Sequence, residues 1–374
     1  MTPRKVLFIN ENIGGHATVH HHLRTVLRDH PDIEPTFVDV PAPGLVRRVV
    51  GAAVPGLGKL DLDLQPLRAQ LALSAWVRRH IGPMIASADV IHLYTQNAGL
   101  LSVGALEKRP SVVTLDTTNA NNAYRLPYRA PTRFTPAALR LTLPLERRVY
   151  AAVDAIVANS GWAASSLIDD YGMRANEVDV IPFGVVGPPR PAARPRRRPR
   201  IVFVGRQLER KGGLLLLDVF EKHLADRAEL LLITHDPVPP TRGVSVVDDL
   251  HQGSDRLWDL LADSDIFAFP SAIDQAPNAV LEAMASGLPS VAARTAAVPE
   301  MVVDGSTGFL FEPHDAAGLA HGLERLVDDA DLRHRMGAAA RERFESSYEA
   351  HGAIDRLVAV IERVASQQVS AVSS

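Results

Sequence analysis

Two basic and two acidic side chains in the second half of the chain have the types and spacing to handle a phosphorylated sugar. Arg206 follows the apolar stretch Ile201–Gly205, and Lys211 stands in the turn ahead of the apolar run Leu214–Phe220. Two fixed cations at such a turn suit the negative charge that builds on a departing diphosphate. The acids lie in FPSAIDQAPNAVLEAMASGLPSVAA, from Phe269 to Ala293. Asp274 sits in a loop after an apolar strand. Glu282 sits on the helix that follows, about six residues from its start and so roughly 9 Å along the axis. Pro277 suits the first turn of that helix, and Gly287 with Pro289 stops it. The acids therefore bracket a helix N-terminus, whose free N–H groups and positive dipole end favour phosphate. A nucleotide-sugar fits this layout, with its diphosphate at the helix start, its ribose hydroxyls at Glu282 and its sugar hydroxyls near Asp274. Taken singly, each residue also reads as ordinary surface.

Such residues need elements to hold them. Lys5–Asn10 is a short apolar strand that runs into Gly14-Gly15 and the amphipathic stretch Val19–Arg28. Ile201–Gly205 repeats the layout, leading to Gly212-Gly213 and Leu214–Phe220. Each is a strand, a glycine-bearing turn and a helix, the opening of a doubly wound α/β unit. Further strands are predicted at Thr36–Val40, Val90–Tyr94, Val112–Leu115 and Ala155–Ala158, then at Leu230–Thr234, Val244–Val247, Ile266–Phe269 and Ser290–Ala293. Alternation with helices implies a parallel sheet in each half, with ligands beyond the carboxyl ends of the strands. Between the halves, Pro182 to Pro199 is rich in proline and arginine and reads as a linker. The expected domains are 1–185, a linker at 186–200, 201–350, and a C-terminal helix and tail over 351–374 that packs back on the first domain.

At 374 residues the chain has room for two domains. Its 46% hydrophobic and 22% charged residues are those of a globular protein. A formal net charge of −3 argues against nucleic acid as the main partner. The absence of cysteine excludes disulfides and thiolate metal sites. With no membrane-spanning stretch or signal peptide in the sequence, the chain reads as cytoplasmic.

The ordered motifs of the second half resemble the retaining glycosyltransferase family 4, which has the two-domain GT-B fold. The family pattern GR-x4-KG is matched by Arg206 and Lys211, and E-x7-E with PN by Asp274, Glu282, Pro277 and Asn278. LEAMASGLP follows, then Val298 to Gly308. The likeness is dense over about Ile201 to Tyr348. Before Val185 it is thinner, resting on Gly14-Gly15, Asp89–His92 and the run from Val180. The resemblance implies two Rossmann-like domains facing a central cleft, a nucleoside-diphosphate sugar donor, a hydroxyl acceptor in the first domain, retention, and no metal or other cofactor. It places Arg206 and Lys211 on the donor diphosphate and Glu282 on the ribose. The backbone of Gln275, Ala276, Pro277, Asn278, Ala279 and Val280 would hold sugar and phosphate oxygens, and Gly14 and Gly15 would let a first-domain loop approach the diphosphate.

Two departures stand out. Asp274 replaces the family's first glutamate, and Asp116 stands where the first domain usually presents a histidine. Asp116 would bind a donor or acceptor hydroxyl in that place. Rival readings are a nucleotide-sugar 2-epimerase and a non-catalytic nucleotide-sugar binder. Asp61-Leu-Asp63 matches a metal-binding Asp-x-Asp but lies in an apolar stretch. His20, His21 and His22 are adjacent and cannot face one ion from a helix, which leaves them a surface or acceptor-cleft role. The stretches Leu45–Leu60 and Tyr124–Arg148 are basic and amphipathic. They are expected either to line a cleft for a soluble acceptor or to lie on an anionic membrane, at its inner face, collecting a lipid-linked one.

Overall fold

The computed structural model describes residues 3–11, 15–125, 131–188, 197–250 and 254–372. The chain divides into two units, Met1–Phe183 with His351–Ser374, and Gly184–Ala350. Each carries one six-stranded sheet in which every strand pairing is parallel.

The first sheet contains β1 (Arg4–Glu11), β2 (Ile33–Val40), β3 (Val90–Tyr94), β4 (Ser111–Leu115), β5 (Ala155–Ala158) and β6 (Val178–Val180), in the order β2-β1-β3-β4-β5-β6. The second contains β7 (Arg200–Val204), β8 (Glu229–Ile233), β9 (Val244–Val247), β10 (Ile266–Phe269), β11 (Ser290–Ala293) and β12 (Gly308–Phe311), in the order β12-β11-β10-β7-β8-β9. Both have helices interleaved between strands, so the central strands are buried along their whole length and read as unbroken apolar runs. The sequence did not announce β6 and β12. β6 is a three-residue edge strand with Val180 exposed, and β12 opens on a glycine.

Strand order reverses between β1 and β3 in one sheet and between β7 and β10 in the other. In parallel sheets the crevice beyond the carboxyl ends at such a reversal is where ligands bind. Apolar packing holds both positions: Ile9, Leu93 and Val77 share one core, and Phe203, Phe220 and Ala268 share the other.

The boundaries differ from the expected ones. Gly184 already belongs to the second unit, because Val185 N donates to Tyr348 O at 3.0 Å and Ala350 N donates to Val185 O at 3.2 Å. A side chain at 184 would collide with that contact, since its Cβ would stand 2.4 Å from Ala350 Cα. Most of the expected linker, with Arg190, Arg194 and Arg196, lies outside the described residues. The last helix, Ala350–Val372, lies almost wholly in the first unit, where Arg363 pairs with Asp179 and His30 Nε2 lies 3.5 Å from Asp355 Oδ1.

Candidate functional site

In the second unit the site begins where β7 ends. Gly205 N donates to Ile233 O at 2.9 Å, holding the strand end, and Arg206 emerges next. Arg206 is exposed, and among the described residues nothing pairs with its guanidinium. The following turn is held by Leu208 N donating to Asp236 Oδ2 at 2.7 Å and Lys211 N donating to Gln207 O at 3.0 Å. Gly212 then has φ +77°, and a Cβ there would meet the Pro270 carbonyl oxygen at 2.3 Å. Only glycine combines that conformation with that approach. The turn thereby rests on the end of β10 and brings Lys211 to the loop that carries Asp274.

Lys211 Nζ donates to Asp274 Oδ1, with the two side chains 19% and 14% exposed. The ammonium also lies 6.0 Å from the Phe269 ring centroid. Burial pulls the Lys211 pKa below its ordinary value, and Asp274 partly offsets this. Asp274 Oδ2 and Ser271 Oγ are buried without a hydrogen-bond partner. An unmade buried hydrogen bond costs about 1–3 kcal/mol, so two at one loop mark a place for ligand hydroxyls. The sequence pattern placed Lys211 and Asp274 on different parts of a donor; the structure pairs them.

The loop is anchored from behind by Ala297 N donating to Gln275 O at 2.9 Å and Thr295 Oγ1 donating to Ala272 O at 3.2 Å. The helix Asn278–Ala285 follows, with Pro277 as its extended N-cap and no capping side chain. Pro277 thus precedes the first turn instead of entering it, and Glu282 lies four residues along, roughly 6 Å by axial rise. Pro277 and Val280 are buried, whereas Ala276, Asn278 and Ala279 are half-buried. Glu282 is half-buried, and burial pushes its carboxyl up to about 7. No hydrogen bond or ion pair reaches that carboxyl among the described residues.

The first unit has a corresponding cluster. Gly14 lies outside the described residues. Gly15 caps the helix His16–Leu27 with φ −70°, an ordinary value, so any need for glycine there is for room alone. His16 Nε2 lies 2.9 Å from Asp116 Oδ2, and Nδ1 lies 3.2 Å from Glu11 O. Both ring nitrogens face acceptors, which suits the doubly protonated ring. Burial opposes that charge, but Asp116 and Glu11 outweigh it and raise the His16 pKa to about 9. Glu11 is itself buried, which raises its pKa, and accepts from Thr95 Oγ1 at 2.6 Å.

His16 escaped the sequence reading. The available signal was a histidine directly after Gly14-Gly15, at the end of the strand nearest the order reversal. Asp116 is therefore an ion-pair partner in this structure. His20 is buried edge-on against Tyr94, with centroids 4.8 Å apart and a pKa pushed down to about 3 by burial, so only His21 of the triplet is well exposed. Asp61 accepts from Thr132 and Thr135, tying its loop to the start of the helix Thr135–Ala152, and Asp63 accepts from Val54 N and Gln65 N within its own loop, so both have structural partners. Among the described residues no group of three or more His, Asp or Glu is placed to hold a metal ion. Beside this cluster a cavity of about 650 Å³ opens in the first unit, lined by Arg47, Arg48, Gln70, Asn97, Asn119 and Leu139 among others.

Two six-stranded parallel-sheet units, each with charged residues at its order reversal, match the fold of the GT-B glycosyltransferases. Solved structures share the fold. Sucrose-phosphate synthase from Thermosynechococcus elongatus matches with a TM-score of 0.66 at 16% identity, over 96% of this chain and 99% of that one. Anabaena HepE in complex with UDP-glucose matches with a TM-score of 0.61 at 17% identity, over 98% of this chain and all of that one (100%). The model for Glycosyltransferase Family 4 matches residues 13–186, and that for Glycosyl transferases group 1 matches residues 198–329. The chain belongs to glycosyltransferase family 4 and is a glycosyltransferase. Among its relatives is the D-inositol 3-phosphate glycosyltransferase of Nocardia farcinica, 29% identical over 335 residues, 80% of this chain and 71% of that protein.

Proposed function

We propose that this glycosyltransferase moves a hexose-type sugar from a nucleoside-diphosphate sugar to an acceptor hydroxyl, with retention and without a metal. The observation that carries the reading is the Lys211–Asp274 pair with its unpartnered Asp274 Oδ2 and Ser271 Oγ at the order reversal of the second sheet, where Arg206 follows β7 and Glu282 stands on the helix after β10. Arg206 and Lys211 take the donor diphosphate and neutralise the charge that develops as the glycosidic bond breaks. The N-terminus of the helix Asn278–Ala285 adds to that field through its positive dipole end. Asp274 accepts a sugar hydroxyl through its unpartnered Oδ2, while the Glu282 carboxylate accepts the two ribose hydroxyls. The acceptor oxygen attacks the face from which the diphosphate departs, and the departing phosphate takes the acceptor proton. A hexose nucleotide is favoured by the UDP-glucose in the Anabaena structure.

The test is to incubate the purified protein with UDP-, GDP- and ADP-sugars, with and without polyol acceptors, and measure nucleoside diphosphate. Release that requires an acceptor, and survives a chelator, is the expected result. A new nucleotide-sugar formed without acceptor would make the protein an epimerase. Donor binding with no turnover on any acceptor would leave a binder, and loss of activity to a chelator with recovery on manganese would sink the metal-free reading.

A further inference from the structure

The connection between β2 and β3 carries a surface that the donor site does not use. Its first helix, Leu45–Gly51, has no buried residue. Leu45, Val46 and Val49 are 78%, 76% and 65% exposed. At 100° per residue these side chains and Val50 fall within an arc of about 140°, with Arg47 and Arg48 on the other side. Val54, Leu57, Leu60 and Leu62 continue the exposed apolar surface, so eight of the sixteen large apolar side chains exposed on the described residues lie between 45 and 62. From Pro41 to Leu60 there are three basic residues, Arg47, Arg48 and Lys59, and no acidic one, in a chain whose net charge is −3.

We propose that the segment Leu45–Leu62 docks this enzyme on an anionic membrane surface, and that the cavity beside it receives a hydroxyl borne by a membrane lipid. The membrane is the occupant that matches the chemistry: apolar side chains enter the interface, and the flanking arginines and lysine meet anionic headgroups. Within Leu45–Leu62 the three basic residues face a single acidic one, Asp61, which accepts from Thr132 and Thr135, so a second copy of the chain would oppose a surface of the same net positive sign. Continuity with the cavity supports the acceptor class, because Arg47, Arg48, Gly51 and Asp61 belong to both the segment and the cavity wall. A headgroup entering from the membrane passes the two arginines and reaches the amides of Gln70 and Asn119, which bond to each other at 2.7 Å. The acceptor class rests on the transferase reading, whereas the docking does not.

The experiment is co-sedimentation of the full chain with phosphatidylcholine vesicles, with and without phosphatidylglycerol, at low salt and at 0.5 M salt. Binding to the phosphatidylglycerol vesicles alone, lost at high salt where the screening length falls to about 4 Å, is expected. The triple variant Leu45→Ser, Val46→Ser, Val49→Ser changes only exposed positions and is expected to bind at least about 10-fold more weakly. Arg47→Gln with Arg48→Gln is expected to lose roughly 30-fold, since each basic residue at an anionic surface contributes about a fivefold factor. Both variants should keep the thermal shift given by uridine or guanosine diphosphate. No binding by the wild type, equal binding by the serine variant, or a wild-type dimer that the serine variant dissociates would each overturn the docking. Vesicle binding without any nucleotide thermal shift would instead sink the transferase reading and leave the docking standing.

Discussion

The two units follow one plan and differ in how finished their charged pairs are. The second sheet runs β9-β8-β7-β10-β11-β12 and the first β2-β1-β3-β4-β5-β6, and each places an ion pair at its order reversal. In the first, His16 has both ring nitrogens engaged, by Asp116 and by the Glu11 carbonyl. In the second, Lys211 shares one oxygen of Asp274, leaving the other oxygen and Ser271 Oγ unbonded, and Arg206 after β7 and Glu282 after β10 have no ion-pair partner among the described residues. One pair is closed and holds structure; the other is open and suits exchange with a ligand. The connections differ in the same sense. Between β9 and β10 the crossover carries one short helix, Asp255–Ala262, whereas between β2 and β3 it spends residues 41–89 on an exposed helix, a cavity wall and the core-packed helix Gln65–Ile85.

The contrast breaks if the two pairs prove interchangeable. Lys211→Ala and Arg206→Ala are each expected to lower turnover roughly 100-fold or more, and to weaken nucleoside diphosphate binding. His16→Asn should lower it far less, and equal losses by steady-state kinetics would put both pairs on the same footing.

Asp274 sharpens the contrast next. Asp274→Ala should cut transfer about 10- to 100-fold while nucleoside diphosphate affinity holds or rises, because Lys211 is released. Asp274→Glu should also be impaired, the longer side chain crowding a loop fitted to the shorter one. Transfer at the wild-type rate in Asp274→Ala, with calorimetric affinity unchanged, would reduce Asp274 to a turn residue.

Glu282 gives a smaller, pH-dependent effect. With its carboxyl at about 7, wild-type nucleotide affinity should fall several-fold from pH 8 to pH 6 as the carboxylate takes a proton. Glu282→Gln should be weaker at pH 8 and flat across the range. The stability effect runs the other way. A raised carboxyl pKa contributes stability that is present below about 4.5 and lost as pH rises through about 7. Glu282→Gln should therefore melt above the wild type at pH 8, with the two converging near pH 4.5. A parallel offset at both pH values would disconnect Glu282 from the buried-carboxyl account.

The closed pair should show its smallest mark in activity and its clearest in stability. The raised His16 pKa contributes stability that is full below about 6.5 and lost as pH rises through about 9. The melting-temperature gap between the wild type and Asp116→Asn should shrink from pH 7 to pH 10. A gap that stays constant would mean that the pair contributes no charge-dependent stability.

The sequence by itself determined the strands that form the centre of each sheet, because strands buried on both faces must be unbroken apolar runs such as Val90–Tyr94 and Ile266–Phe269. It also determined the turn and helix that carry Arg206, Lys211, Asp274 and Glu282, since glycine and proline mark those local conformations within a few residues. Only the tertiary structure decided which charges meet. Lys211 and Asp274 are 63 residues apart, and His16 and Asp116 are 100 apart; adjacency in a parallel sheet comes from crossover connections and leaves no local periodicity. An apolar run in the sequence states what a side chain avoids, and what covers it is fixed by where the rest of the chain has gone.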